Sequence, residues 1–87
     1  MTSSARRISK SVHSSEQLAL RELLIATRAT AGLTQQKLAK RLGKPQSFVA
    51  KYEGGERRLD VIEFVTILQA MGADPVRVLR SLIKRNS

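Results

Sequence analysis

The sequence predicts an all-α domain of five short helices. Three observations predict it. Apolar residues recur three and four apart along most of the chain, the period of one helix face. Helix-capping residues punctuate those stripes, with Ser14 or Ser15, Thr34, Asp60 and Asp74 ahead of them and Gly32, Gly43, Gly54-Gly55 and Gly72 behind. No convincing period-2 alternation is found. The one apolar run that competes, Val61 to Leu68, has caps and spacing that suit a helix better.

Residues 1–14 are rich in Ser and basic residues and nearly free of large apolar groups. They cannot offset their ordering entropy by burial, so a flexible basic arm is expected through residue 15 and a folded domain over 16–87. The first helix starts at the Ser14/Ser15 cap, carries Glu16 in its first turn, and repeats Leu20, Leu23, Leu24 and Thr27 on one face. Gly32 ends it as a residue just past a helix should. Thr34 caps the second helix, whose inner stripe is Leu38, Ala39 and Leu42, and Gly43 stops it.

Pro45 opens the third helix, because the N–H that proline lacks would have no intrahelical partner there. Val49 and Tyr52 face inward, and Gly54-Gly55 terminates it. Asp60 caps or begins the fourth helix, with Phe64, Ile67, Leu68 and Met71 as its buried stripe. Asp74-Pro75 is a cap followed by proline at the first helical position, and it starts the fifth, which carries Val78, Leu79, Leu82 and Ile83. Core packing is the default for Val76 and Ile83. A dimer seam would equally explain two apolar faces on one short helix.

The second and third helices, about 34–42 and 45–53, are joined by a tight Gly-containing turn, which makes a helix-turn-helix. The break lets the third helix project from the body. Its outer positions are Gln46, Ser47, Ala50 and Lys51. Gln can bond bidentately to adenine, Lys and Ser can donate to guanine, and Ala can touch a thymine methyl, so this face suits the edges of bases in a major groove. Phosphate contacts are expected from the flanks. Gln35 stands at the N-terminus of the second helix, where free N–H groups favour an anion. Lys44 lies in the turn, and Arg57 and Arg58 follow the third helix. Lys37, Lys40 and Arg41 are expected to be solvated.

The formal net charge is +9, and residues 34–58 hold seven basic and two acidic side chains. Such a cluster is a footprint for a polyanion, although charge alone leaves a solubilising face equally open. No cysteine is present and His13 lies in the polar leader, so neither a disulfide framework nor a metal site is expected. "EGGE" lacks a lysine followed by Ser or Thr and follows no strand, so it is no phosphate loop. No nucleophile, base and orienting group can be assembled, so no enzyme activity, catalytic residue or cofactor is expected. No apolar run reaches the ~18–20 residues of a membrane span, and the leader has no apolar segment of a secretory signal.

The stretch "GLTQQKLAKRLGKPQSFVAKYEGGERRL", Gly32 to Leu59, resembles the Xre, or lambda-repressor-like, family of helix-turn-helix DNA-binding domains. The likeness spans about residues 18–83. It consists of GLTQ before the second helix, LA within it, the Gly turn, QSxVxKYE on the third helix and GER afterwards. The resemblance implies a sequence-specific regulator of transcription, a repressor acting as a homodimer on a two-fold-symmetric stretch of double-stranded DNA. It implies DNA contact at Gln35, Gln46, Ser47 and Lys51, and a structural ion pair between Arg28 and Glu53. It also implies a bacterial or phage-type cytoplasmic protein associated with the nucleoid. Two positions depart from the pattern. Pro45 stands where the family usually has a capping Ser or Thr, so the start of the reading helix is expected to fray. Phe48 is bulky beside a DNA backbone and is expected to pack over the second helix or against a partner subunit.

One rival is an interaction module, an antitoxin or restriction–modification controller that also binds a partner protein such as a toxin or another regulator. Only the arm and the fifth helix lie outside the helix-turn-helix to serve it. A non-specific binder of RNA or membrane fits less well. One tyrosine and two phenylalanines are few for base stacking. The charge is also not laid along one long amphipathic helix.

Overall fold

A computed structural model describes residue 8 and residues 11–86. The helices are α1 (Ser15–Thr30), α2 (Gln35–Leu42), α3 (Gln46–Glu53), α4 (Val61–Ala70) and α5 (Pro75–Arg85), and the described residues form no strand. Most of the expected flexible arm, residues 1–15, lies outside the described residues.

Local chemistry sets the boundaries. The Ser14 hydroxyl accepts from the Gln17 N–H at 3.2 Å and starts α1, and the Thr34 hydroxyl accepts from the Lys37 N–H at 3.1 Å and starts α2. At the end of α2, Gly43 turns left-handed at φ 66°, so its N–H reaches the Lys40 carbonyl and the Lys44 N–H reaches that of Ala39. That closure makes the turn short enough to bring α3 straight back across α2.

Pro45 is the N-cap of α3 and not its first helical residue, with φ −70° and ψ 156°. It offers no side-chain cap, and the Phe48 N–H bonds the Pro45 carbonyl at 3.0 Å instead. The expected helix therefore starts one residue later than its proline suggested. At α4 a capping box forms, in which Asp60 Oδ1 accepts from the Glu63 N–H at 2.7 Å and Glu63 Oε1 accepts from the Asp60 N–H at 3.0 Å.

One core joins α1 to α4. Leu24, Leu38, Val49, Tyr52, Ile67 and Leu68 are fully buried, and Leu33, Ala39 and Met71 complete the cluster. α3 packs on α2 and α1, so its inward residues Val49, Tyr52 and Glu53 are all buried. α5 differs from the expectation. It lies against α1 and α4, yet none of its residues is fully buried, and Val76, Leu79 and Ile83 are exposed. With Leu20, Leu59, Val61, Phe64, Val65 and Leu82, Val76 and Leu79 line an open apolar groove. Core packing of Val76 and Ile83 is thus corrected, because no element among the described residues covers that side of α5.

Candidate nucleic-acid interface

α3 sorts its eight residues by face. Gln46, Ser47 and Lys51 are exposed and Ala50 is half-buried, while Val49, Tyr52 and Glu53 point into the body. Both short joints that hold α3, the glycine turn before it and the loop after it, bring cations alongside. Lys44 is exposed in the first, and Arg57 and Arg58 in the second. Lys37, Lys40, Lys44, Gln36 and Gln46 line a shallow cleft beside the start of α3.

The acidic residue of α3 is neutralised from behind. Arg28 Nε donates to Glu53 Oε2 at 2.7 Å and Arg28 Nη2 to Oε1 at 2.9 Å. The Glu53 side chain is 4% exposed, so this charge is buried with its partner and presents no repulsion to a polyanion. Arg28 Nη1 also donates to the Leu33 carbonyl at 2.8 Å, which ties the end of α1 to the α1–α2 turn. The bond to Glu53 keeps the guanidinium charged against the opposing cost of burial.

Gln35 is drawn into this network. Its Nε2 donates to Glu53 Oε1 at 2.9 Å, and its Oε1 accepts from Gln46 Nε2 at 3.4 Å. One of the two Gln35 amide protons is therefore used within the protein, and the side chain is tied to Glu53 and Gln46. The long bond from Gln46 uses one of two amide protons. The other proton and the carbonyl have the donor–acceptor pattern that matches an adenine edge.

Arg57 is likewise held. Its Nη2 donates to Glu63 Oε2 at 2.7 Å, its Nη1 to Glu63 Oε1 at 3.1 Å and to the Arg58 carbonyl at 3.0 Å. The hydrogen bond from Arg57, with that from the Asp60 backbone, holds the Glu63 carboxyl below its ordinary range. Phe48 is half-buried in its own chain, with its ring edge-on to Tyr52 at 5.7 Å and with Lys44 and Arg57 over it at 5.7 and 4.9 Å. Arg41, expected to be solvated, donates to the Ala70 carbonyl at 2.9 Å and so ties α2 to the end of α4. The signals for these roles, acids in a capping position and basic residues in a last turn, are too common in sequences to have singled them out.

A projecting short helix with a polar outer face, a neutralised acid behind it and cations on both flanks defines a helix-turn-helix DNA-binding domain. The description of a helix-turn-helix family matches residues 24–78. An XRE-family-like protein from Pseudomonas syringae pv. tomato is 47% identical, with 87% of this chain and 93% of that one covered, at a TM-score of 0.81. The chain belongs to the XRE-like helix-turn-helix family, whose members are DNA-binding regulators of transcription. Two more distant structures share the fold. The wild-type restriction–modification controller protein C.Esp1396I is 21% identical over 83% of this chain and 92% of its own at a TM-score of 0.75. The clp gene regulator ClgR from C. glutamicum is 22% identical over 82% and 91% at 0.72. No curated protein matches the chain. No helix among the described residues is long and apolar enough to cross a membrane.

Proposed function

We propose that the protein is a repressor that binds double-stranded DNA as a homodimer, with α3 reading one half-site in the major groove. The observation that carries this reading is the division of α3. Gln46, Ser47, Ala50 and Lys51 are turned away from the core, and the one acid on the helix is paired inside. Lys44, Arg57, Arg58 and the backbone N–H of Gln35 serve the phosphates on either side, which set register but carry no sequence information.

One short reading helix contacts few base pairs, so useful specificity needs two. The uncovered apolar side of α4 and α5, with Val61 and Ile62 each 74% exposed and Ile83 59%, supports self-association through that face. A two-fold dimer sets its half-sites about one helical turn, ~34 Å, apart. The same surface supports a second reading, in which it holds a different protein, a toxin or another regulator. A monomer in sedimentation at micromolar concentration would favour that reading.

Substitution of α3 tests the first reading. Gln46→Ala and Lys51→Ala each lower discrimination between a selected target and random duplex by about 1–3 kcal/mol, with the fold intact. Unchanged discrimination in both would refute base reading by α3. A repressor works on the nucleoid in the cytoplasm, and a genome-wide binding profile with discrete sites checks that.

A further inference from the structure

Phe48 is half-buried, packed against the core beside the face of α3 proposed to meet DNA. A residue needed only for packing would be buried, and a residue only exposed would carry a bulky ring toward a polyanion at a cost. Beyond its packing, the exposed part of the ring meets two cations. Lys44 comes from the turn before α3 and Arg57 from the loop after it, yet both stand over this single ring, at 5.7 and 4.9 Å. Lys44 is exposed, and its ammonium stands within cation–π range of the ring. Arg57 is paired in addition with the Glu63 carboxylate at the start of α4.

A ring holds a cation differently from a carboxylate. The quadrupole attracts the charge without neutralising it and without taking up an N–H donor. Lys44 is therefore restrained while all three of its protons stay available to a phosphate. Arg57 is restrained on two sides, by the ring and by Glu63, and its loop is held to the start of α4 by the same carboxylate. Restraint before binding matters, because ordering a long cationic side chain at an interface costs affinity.

We propose that Phe48 is a positioning residue for the phosphate contacts, its ring presetting Lys44 from the turn before the reading helix and Arg57 from the loop after it. The inference rests on the reading that these two cations meet the DNA backbone. It makes Phe48 act on affinity for any sequence, since phosphate contacts are common to all, and not on the choice of bases.

The test uses the full chain and a mixed-sequence DNA duplex at ~0.15 M salt. Phe48→Leu keeps an apolar side chain and removes the ring. It weakens binding about tenfold, whereas Phe48→Tyr keeps the affinity within about twofold. In a chain already carrying Lys44→Ala and Arg57→Ala, Phe48→Leu costs nothing further, which a purely structural role would not produce. Equal losses in both backgrounds overturn the proposal and leave the phosphate contacts standing. Unaltered binding by the Lys44→Ala, Arg57→Ala chain overturns those contacts and the proposal with them. A measurement on the unsubstituted chain stands apart from folding. Ring currents displace the Lys44 Hε and Arg57 Hδ proton resonances upfield, and unshifted resonances overturn the proposal.

Discussion

The Arg28 guanidinium meets the Glu53 carboxylate in two parallel bonds, 2.7 Å from Nε to Oε2 and 2.9 Å from Nη2 to Oε1. This pair locks α3 to the end of α1 and removes negative charge from behind the reading face. It also orders the next residue out, because Glu53 Oε1 accepts from Gln35 and Gln35 accepts from Gln46. A buried pair is thus linked, bond by bond, to a side chain proposed to touch bases.

Arg28→Ala leaves the Glu53 charge buried without its partner. Gln35 still donates one hydrogen bond, so the loss falls at the low end of the usual range, about 3 kcal/mol. Thermal unfolding of the variant is expected more than ~10 °C below the unsubstituted chain. An unchanged melting temperature would show that the pair adds nothing to stability.

Glu63 links pH to stability. Its carboxyl is held below the ordinary value of 4.5 by Arg57 and the Asp60 N–H, so the unfolded chain binds the proton first. The stabilisation is present above the unfolded value and is lost as pH falls through the lower, folded one. Between about pH 5 and 3 the unsubstituted chain should lose stability more steeply than Glu63→Gln, whose side chain does not titrate. Parallel acid limbs in thermal scans would contradict this.

Tyr52 is 1% exposed, and its hydroxyl has no hydrogen-bond partner among the described residues. Burial, and then the Glu53 charge, pushes its ionisation well above the ordinary range. A buried hydroxyl without a partner is a cost, so Tyr52→Phe should match or exceed the unsubstituted stability, by up to ~1 kcal/mol. Denaturant unfolding measures it, and a loss of that size would show that the hydroxyl is satisfied in solution.

Gly55, not Gly54, makes the turn after α3, at φ 82°, and a Cβ there would stand 3.0 Å from the Arg21 guanidinium carbon. Gly55→Ala meets both backbone strain and that contact, and should cost about 1–2 kcal/mol. Gly54, at φ −85°, has no such backbone strain, although a Cβ there would stand 3.0 Å from the Ala50 carbonyl oxygen. Equal stability of Gly55→Ala and the unsubstituted chain would refute the left-handed turn.

Val76→Lys and Ile83→Lys place charges on the uncovered side of α5, where the two residues are 55% and 59% exposed. Each should yield a folded monomer by sedimentation and weaken binding to a symmetric site. A dimer that survives both substitutions would move the seam elsewhere.

The order and extent of the helices were legible because their signals are local. A hydroxyl or carboxylate before an apolar stripe, and a glycine after it, act within a few residues of where they stand. Arg28 with Glu53 was legible only through the resemblance, since nothing in a spacing of that length brings two side chains together. Other partners were hidden for the same reason. The bond of Arg41 to Ala70 and the use of the Gln35 amide depend on how helices cross, and the tie of Arg57 to Glu63 on the path of the loop between α3 and α4. Periodicity showed that α5 has an apolar face, but a pattern within one helix does not say whether anything covers it. Pro45 was displaced by one residue because proline suits both a cap and a first helical position.

Sequence reading by α3 in a two-fold dimer is put to the test by selection from randomised duplex DNA at ~0.15 M salt. Enrichment of a two-fold-symmetric motif is expected, with half-site centres about one helical turn apart. Enrichment of no motif, with binding that falls steeply as salt rises, would rule out base reading and leave phosphate contact alone.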